Sequence, residues 1–383
     1  MLQSTRFALV ALCLSLVAAC RIESGVQPDR RLIGTLTFST ISTGATSTCA
    51  LTTSGAAYCW GRNSEGQLGD GTRADEDLPT PVTGGHTFAS IHTDGHTTCA
   101  LTPQGEAWCW GSNGRGQFGG ATGGSHLVPE AIGAAARFTS ISTRAGTTCG
   151  LATSGTAYCT TLGSDSLTPI GDGLVFTALS LTAKVTCGID TEGAAWCWGD
   201  GARGQLGNGS AAKTNSTVPL KVVGGLTFKS ISVGAGHACA ITTAGTLLCW
   251  GSNDSGQTGT GVIRAPSGVP TGVSGLTFKT VSAGSEATCA TTTANEGYCW
   301  GWALFGGLGV GDVGLIGIYP SPTKVIGGAR FAVISNSGAV SCGVSPTHVA
   351  YCWGDGGWEL GLGAVWEYGV AAPKKVGRQA GPY

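Results

Sequence analysis

Cysteine is the residue type whose spacing in this chain most directly implies chemistry. Fourteen of the 16 cysteines fall into seven pairs, each ten residues apart. The pairs are Cys49 and Cys59, Cys99 and Cys109, Cys149 and Cys159, Cys187 and Cys197, Cys239 and Cys249, Cys289 and Cys299, and Cys342 and Cys352. Paired thiols serve either a metal or a disulfide. The metal reading has little behind it: no Cys-x-x-Cys occurs, no His recurs with the pairs, and zinc sites do not favour such a gap. The disulfide reading follows from the residues in between. Ala50 to Tyr58 reads as strand, turn, strand, and facing cysteines make the pairing symmetric about Ser54, with a three-residue loop Thr53-Ser54-Gly55. Such loops end on a residue with left-handed backbone. Gly55, Gly105, Gly155, Gly193 and Gly245 supply it in five repeats, and Asn295 and His348, which tolerate that conformation better than most, in the other two. Counting outwards puts the cysteines at a non-hydrogen-bonded pair, where Cα atoms approach to ~4.5 Å, inside disulfide range. Seven stapled hairpins are expected, with no bridge between repeats.

Other chemistry is sparse. The six histidines (86, 92, 96, 126, 237 and 348) form no recurring set with carboxylates or serines, and no catalytic constellation stands out. Gly114-Arg-Gly116-Gln-Phe-Gly119 mimics a dinucleotide fingerprint, but it follows a hairpin and precedes no helix. Ser252-Asn-Asp254-Ser-Gly256-Gln-Thr258 mimics a sialidase Asp-box without its closing Trp. The acidic run Asp70, Asp75, Glu76, Asp77 lacks the spacing and Gly of a calcium loop and reads as a solvated loop. No cofactor and no metal are expected. The chain is expected not to be an enzyme.

The remaining cysteine with a role to assign, Cys20, belongs to a leader. Arg6 precedes an apolar run from Phe7 to Ala19, too short for a bilayer core of ~30 Å, which needs about 20 residues. A positive start, a short apolar stretch and small residues at its end describe a secretory signal. Leu16-Val17-Ala18-Ala19-Cys20 resembles the lipobox of bacterial lipoproteins, which implies an acylated Cys20 as the first mature residue. The alternative is an ordinary signal cut nearby. Residues 1–19 are thus expected to be a signal peptide, 20–31 a lipidated tether, and 32–383 the folded domain. The expected location is the cell envelope, lipid-anchored at the outer membrane or cell surface and extracytoplasmic.

The elements that position these residues come in seven copies. Phe38, Phe88, Phe138, Phe176, Phe228, Phe278 and Phe331 each open a Ser- or Thr-rich strand that leads into a cysteine pair. After the second cysteine, six repeats continue Cys-Trp-Gly, with Trp60, Trp110, Trp198, Trp250, Trp300 and Trp353, and these rings read as packed core. Turns of the type Gly66-Gln67-Leu68-Gly69 follow, then a variable loop, then a proline-led strand. In the third repeat Cys159-Thr160-Thr161 replaces Cys-Trp-Gly and the turn is missing, so its outer strands are in doubt. Composition agrees with an all-β repeat array: 66 glycines and 14 prolines in 383 residues, with only 11% charged, leave no room for long solvated helices. A net charge of −1 without any basic cluster excludes a nucleic-acid binder.

Asp94-Gly95-His96-Thr-Thr-Cys-Ala-Leu-Thr-Pro-Gln-Gly105-Glu-Ala-Trp-Cys-Trp110-Gly, with its six fellows from about Phe38 to Val376, resembles the repeats of the regulator of chromosome condensation (RCC1) family. That resemblance implies a seven-bladed β-propeller. His96 and His237 match a turn position of the family, which implies a structural role. Eukaryotic members can act as guanine-nucleotide exchange factors on a nuclear GTPase that an exported protein never meets. Plant photoreceptors of the family use Trp in Gly-Trp-Arg-His-Thr segments, where this chain has none. A secreted bacterial propeller of this type blocks β-lactamases. The expected function is therefore a non-enzymatic binding module with an unidentified protein partner, acting as a monomer. The alternative is an inhibitor of an extracytoplasmic enzyme, with exchange-like activity or an envelope enzyme ranked lower.

Two structural expectations complete the reading. A proline-led strand precedes every Phe except Phe38, while Pro373-Lys-Lys-Val376 is left over at the C-terminus. Pairing it beside the Phe38 strand would complete blade one and close the ring. The loops after the Gly-Gln-Leu-Gly turns should share one face. There Leu315, Ile316, Ile318 and Tyr319 of the sixth repeat and Trp366 and Tyr368 of the seventh are the candidate partner contacts. A local mini-core folded over the closing blade is the other reading of the same side chains.

Overall fold

The computed structural model describes residues 35–118, 123–133, 136–144, 146–160, 167–210, 215–273, 275–312, 317–355, 357–363 and 369–379. Each of the seven repeats forms one four-stranded antiparallel sheet with its strands in chain order from the inside outwards. Blade one runs Phe38–Thr43, Ser47–Thr52, Ala57–Gly61 and Glu76–Pro81. The ring is a seven-bladed β-propeller. The helical element among the described residues is a single 3-10 turn, Trp358–Leu360.

The stapled hairpin is the second and third strands of each blade. From blade one to blade seven, Cys49 is bonded to Cys59, Cys99 to Cys109, Cys149 to Cys159 and Cys187 to Cys197. Cys239 is bonded to Cys249, Cys289 to Cys299 and Cys342 to Cys352. Every bridge lies within its own blade, at a Cα separation of 4.0 to 4.1 Å. Cys49 lies directly opposite Cys59, and Leu51 opposite Ala57, as the three-residue loop requires. The loop-closing residue is left-handed in all seven blades, including Asn295 (φ 61°) and His348 (φ 64°).

The third blade keeps all four strands: Phe138–Arg144, Thr147–Ala152, Ala157–Thr160 and Leu167–Ile170. The doubt over its outer strands is resolved by pairing: Tyr158 stands opposite Pro169 and Thr160 opposite Leu167, so a short outer strand forms without the Trp.

The C-terminal strand closes the ring, but within its own blade. Val370–Lys375 pairs with Ala350–Gly354, Tyr351 standing opposite Lys375, and the expected place beside Phe38 is not taken. The reason is chain direction. Each proline-led strand continues outwards from the Cys-Trp-Gly strand of its own repeat, so it belongs to the Phe before it, not the Phe after it. The ends of the domain meet through single hydrogen bonds instead: Leu36 N–H donates to the Arg378 carbonyl and Phe38 N–H to the His348 carbonyl, both at 2.9 Å.

Blades adhere through repeated contacts. Within a blade the opening Phe packs on the Trp, with ring centroids 6.3 Å apart for Phe38 and Trp60 and 5.4 Å for Phe331 and Trp353, and both pairs are fully buried. In the blade without a Trp, Phe138 packs edge-on against Tyr158. Between blades four of the indole N–H groups reach back to the preceding blade's turn, while Trp353 Nε1 is buried without a partner among the described residues. Trp110 donates to the Gln67 carbonyl, Trp250 to Gln205 and Trp300 to Gln257, each at 3.0 Å, and Trp60 donates to Glu359 at 2.9 Å across the closing seam. The final glycine of the turn lies flat on that indole. A Cβ on Gly259 would sit 2.5 Å from Trp300 Nε1, and φ there is +71°, so only glycine fits.

Candidate functional site

The first-to-second strand turn and the third-to-outer connection leave the same end of a blade, since Ser47 pairs with Gly61. One face of the ring therefore carries both the mouth of the central channel and all the variable loops. The mouth is a cavity of about 470 Å³ formed by the ends of the inner strands.

Fourth after each opening Phe comes a polar residue: Ser42, His92, Ser142, Ser180, Ser232, Ser282 and Ser335. Extended backbone aims these positions at the lumen, and nearly every one ties its blade to the next. Thr93 N–H donates to Ser42 Oγ at 3.1 Å, Val233 N–H to Ser180, Ala283 N–H to Ser232, Asn336 N–H to Ser282 and Thr43 N–H to Ser335 at 2.9 to 3.0 Å. His92 replaces the hydroxyl in blade two and accepts from Thr143 N–H through Nδ1 at 3.2 Å. A backbone amide can only donate, so Nε2 carries the imidazole proton and faces Ser142 Oγ at 3.2 Å. Burial first, then the Arg144 charge, push the His92 pKa down to about 4, with Asp94 opposing. The ring is neutral and acts as an acceptor.

Sixth after each Phe the symmetry breaks. The residues are Gly44, Asp94, Arg144, Thr182, Gly234, Gly284 and Ser337. Charge sits only on blades two and three, where Asp94 and Arg144 are half-buried at the mouth. Asp94 Oδ1 accepts the N–H groups of His96 and Thr97, both at 2.8 Å, which fixes the carboxylate in its turn. Burial lowers the pKa of Arg144, and Asp94 opposes that shift. Sequence reasoning missed this pattern. The signal was available by aligning the repeats on their Phe and asking where a fixed offset departs from Ser or Gly.

The two histidines expected to be alike are not. His237 is fully buried, opens the second strand of blade five opposite Gly251, and donates through Nε2 to Thr288 Oγ1 at 2.8 Å. The Thr288 hydroxyl in turn donates to the Gln257 carbonyl, and His237 Nδ1 has no partner among the described residues. His96 stands one position earlier, before Thr97, and points to solvent. One residue of offset reverses the face.

Of the loop candidates, Ile318 is 43% exposed. Tyr319 is half-buried, and its hydroxyl donates to Asp312 Oδ2 at 3.1 Å. Neither lies in a loop: both belong to the outer strand Gly317–Lys324, lengthened because Trp302 pairs with Ile318 and Gly301 with Tyr319. Leu315, Ile316, Trp366, Tyr368 and Cys20 lie outside the described residues. Two exposed side chains that the sequence reading passed over, Val262 and Ile263, stand in the preceding blade's loop. Gly261 N–H of that loop donates to the Pro320 carbonyl at 2.8 Å, which brings it against the strand that bears Ile318.

The sequence pattern of the regulator of chromosome condensation (RCC1) repeat matches residues 54–101, 192–241 and 244–291, and a second pattern of the same description matches 38–67, 93–117 and 228–257. Over 64 residues the chain is 38% identical to the ultraviolet-B receptor UVR8 of Arabidopsis thaliana, which is 17% of this chain and 14% of that protein. The match thus spans about a seventh of the relative's length. Among solved structures, the chain is similar to yeast RCC1 (Prp20), solved bound to Kap60, with a TM-score of 0.72 and 20% identity over 91% of this chain and 86% of that one. It is also similar to human WBSCR16, with a TM-score of 0.70 and 16% identity over 78% and 84%.

Proposed function

This chain is an RCC1-type seven-bladed β-propeller built of RCC1 repeats, and from that premise we propose that it is an exported binding module which presents its loop-bearing face to a protein partner. The observation that carries the reading is the exposure of Val262 and Ile263 in the loop of blade five and of Ile318 on the outer strand of blade six, two segments joined by the hydrogen bond from Gly261 N–H to the Pro320 carbonyl. Side chains of this kind on a rigid scaffold are typical contact anchors. Yeast RCC1, with the same fold, is a precedent for a propeller that binds a protein. Leu315, Ile316, Trp366 and Tyr368 of the neighbouring loops would enlarge the surface.

Seven disulfides suit an extracytoplasmic compartment. With the leader ending Ala18-Ala19-Cys20, they support export followed by lipid anchoring through Cys20 to the cell envelope. An enzyme held inactive by the propeller is the partner in the inhibitor alternative.

Affinity capture from envelope extracts tests the reading. The full-length protein should retain a defined partner that the Ile263→Asp and Ile318→Asp variants lose while keeping their melting temperature. Retention of the same partner by both variants would reject this face. An activity assay of the captured partner, with and without propeller, separates scaffold from inhibitor. Separately, Cys20→Ser should release the protein from membranes without unfolding it; a variant that stays membrane-bound like the parent removes the lipid anchor.

A further inference from the structure

The hydroxyl ring has a chemical polarity that its hydrogen bonds reveal. Ser42, Ser180, Ser232 and Ser282 each accept a backbone N–H from the next blade. An accepting hydroxyl uses a lone pair and keeps its proton, and none of these four has an acceptor among the described residues. Ser142 joins them, because the Nε2 proton of His92 points at its oxygen. Five serine hydroxyls of the lumen thus keep a proton to donate, beside two acceptors at the mouth, the Asp94 carboxylate and the unpartnered Asn336 Oδ1. Arg144 adds a half-buried guanidinium at the same mouth.

We propose that the channel mouth is a binding site for a single carboxylate, held by the Arg144 guanidinium over the ring of serine hydroxyl donors. A planar guanidinium matches a carboxylate through two parallel hydrogen bonds, and shielding from water strengthens each of them. One cation beside Asp94 suits a monoanion. Among the described residues lining the mouth Arg144 is the one guanidinium or ammonium, so a dianionic phosphate would be less well balanced than a monoanion. About 470 Å³ takes a side chain or a small acid, not a folded segment. The carboxylate can come from a free small acid or from an acidic side chain that a partner inserts. The site does not depend on the apolar loop face and can be probed without any partner.

The test is an NMR titration of the full chain that observes the Arg144 Nε–H resonance. Acetate represents the free acid, acetyl-Gly-Glu-Gly-amide the protein-borne one, and the Gln analogue is the neutral control. Saturable shifts with millimolar acetate or the Glu tripeptide are expected, with the Gln tripeptide at least tenfold weaker. Acetate binding without the Glu tripeptide assigns the site to free acids, and binding of both assigns it to inserted side chains as well. Arg144→Lys should bind several-fold more weakly, because it keeps the charge and loses the fork, and Arg144→Gln should not bind. No saturable shift in the unaltered protein overturns the proposal, whatever the variants do. So does equal binding of the Glu and Gln tripeptides, or an unchanged affinity in Arg144→Gln.

Discussion

At the scale of single residues, two histidines make this fold sensitive to acid. His92 and His237 are both held near pKa 4, chiefly by burial, against an ordinary value of 6.5. Above pH 6.5 both are neutral whether the chain is folded or not, and they cost nothing. As the pH falls below 6.5, the unfolded chain takes up protons that the folded chain refuses, so stability declines until both states are protonated below about 4. The loss amounts to about 3 kcal/mol for each residue. His237→Gln keeps a donor toward Thr288 and removes one titration. Its denaturant midpoint should therefore fall distinctly less than the parent's between about pH 7.5 and pH 4.5; an equal fall would mean that His237 does not titrate as its burial implies. None of this could be read from the sequence, where Gly95-His96 and Gly236-His237 look equivalent. Which of them is buried depends on a one-residue offset from the hairpin, and that offset shows only once the strand register is fixed.

At the scale of the strand and turn, the sequence was most informative where covalent geometry dictated the answer. Cysteines ten apart around a three-residue loop admit one register, and the structure has it in all seven blades. The outer strands were harder to place, because nothing local says whether a proline-led strand belongs to the Phe before it or after it. The sixth blade's apolar stretch misled for a similar reason: Ile318 and Tyr319 read as loop but extend an outer strand. Two predictions belong here. Replacing Cys239 and Cys249 together by Ala should cost less than the ~3 kcal/mol of a 15-residue loop, because the hairpin is short and already ordered by its ladder. Peptide mapping under non-reducing conditions should find no cysteine linked outside its own pair. Gly259→Ala should cost about 2–4 kcal/mol, combining a left-handed backbone with a collision against Trp300. Gly225→Ala provides the comparison, being left-handed (φ 63°) with open space around it. It should cost about 1–2 kcal/mol. Equal losses in chemical denaturation would show that the indole contact contributes nothing.

At the scale of the whole ring the seams are unequal: among the described residues the inner-strand tie found at the other six is missing between blades three and four. The serine tie from the inner strand to the next blade spans the seams on either side of blades one, five, six and seven, and His92 replaces it between two and three. Between blades three and four no such bond forms among the described residues: Ser142 faces His92, and the Leu181 amide receives no side chain. Among the described residues no outer latch crosses this seam either. The third repeat has no Gly-Gln-Leu-Gly turn to offer a carbonyl to Trp198, whereas Gly209, Gly261, Gly311 and Gly363 each donate an N–H to the following blade at later seams. A propeller stays closed only while every seam holds, so local opening should begin where the fewest bonds must break. Hydrogen exchange measured residue by residue is the test. The Leu181 amide should exchange at least tenfold faster than its counterparts Val233, Ala283 and Asn336, with blades three and four less protected than five, six and seven. Equal protection at all four amides would mean that packing of Leu151, Ala157 and Phe176 against Trp198 holds this seam as firmly as the hydrogen bonds hold the others.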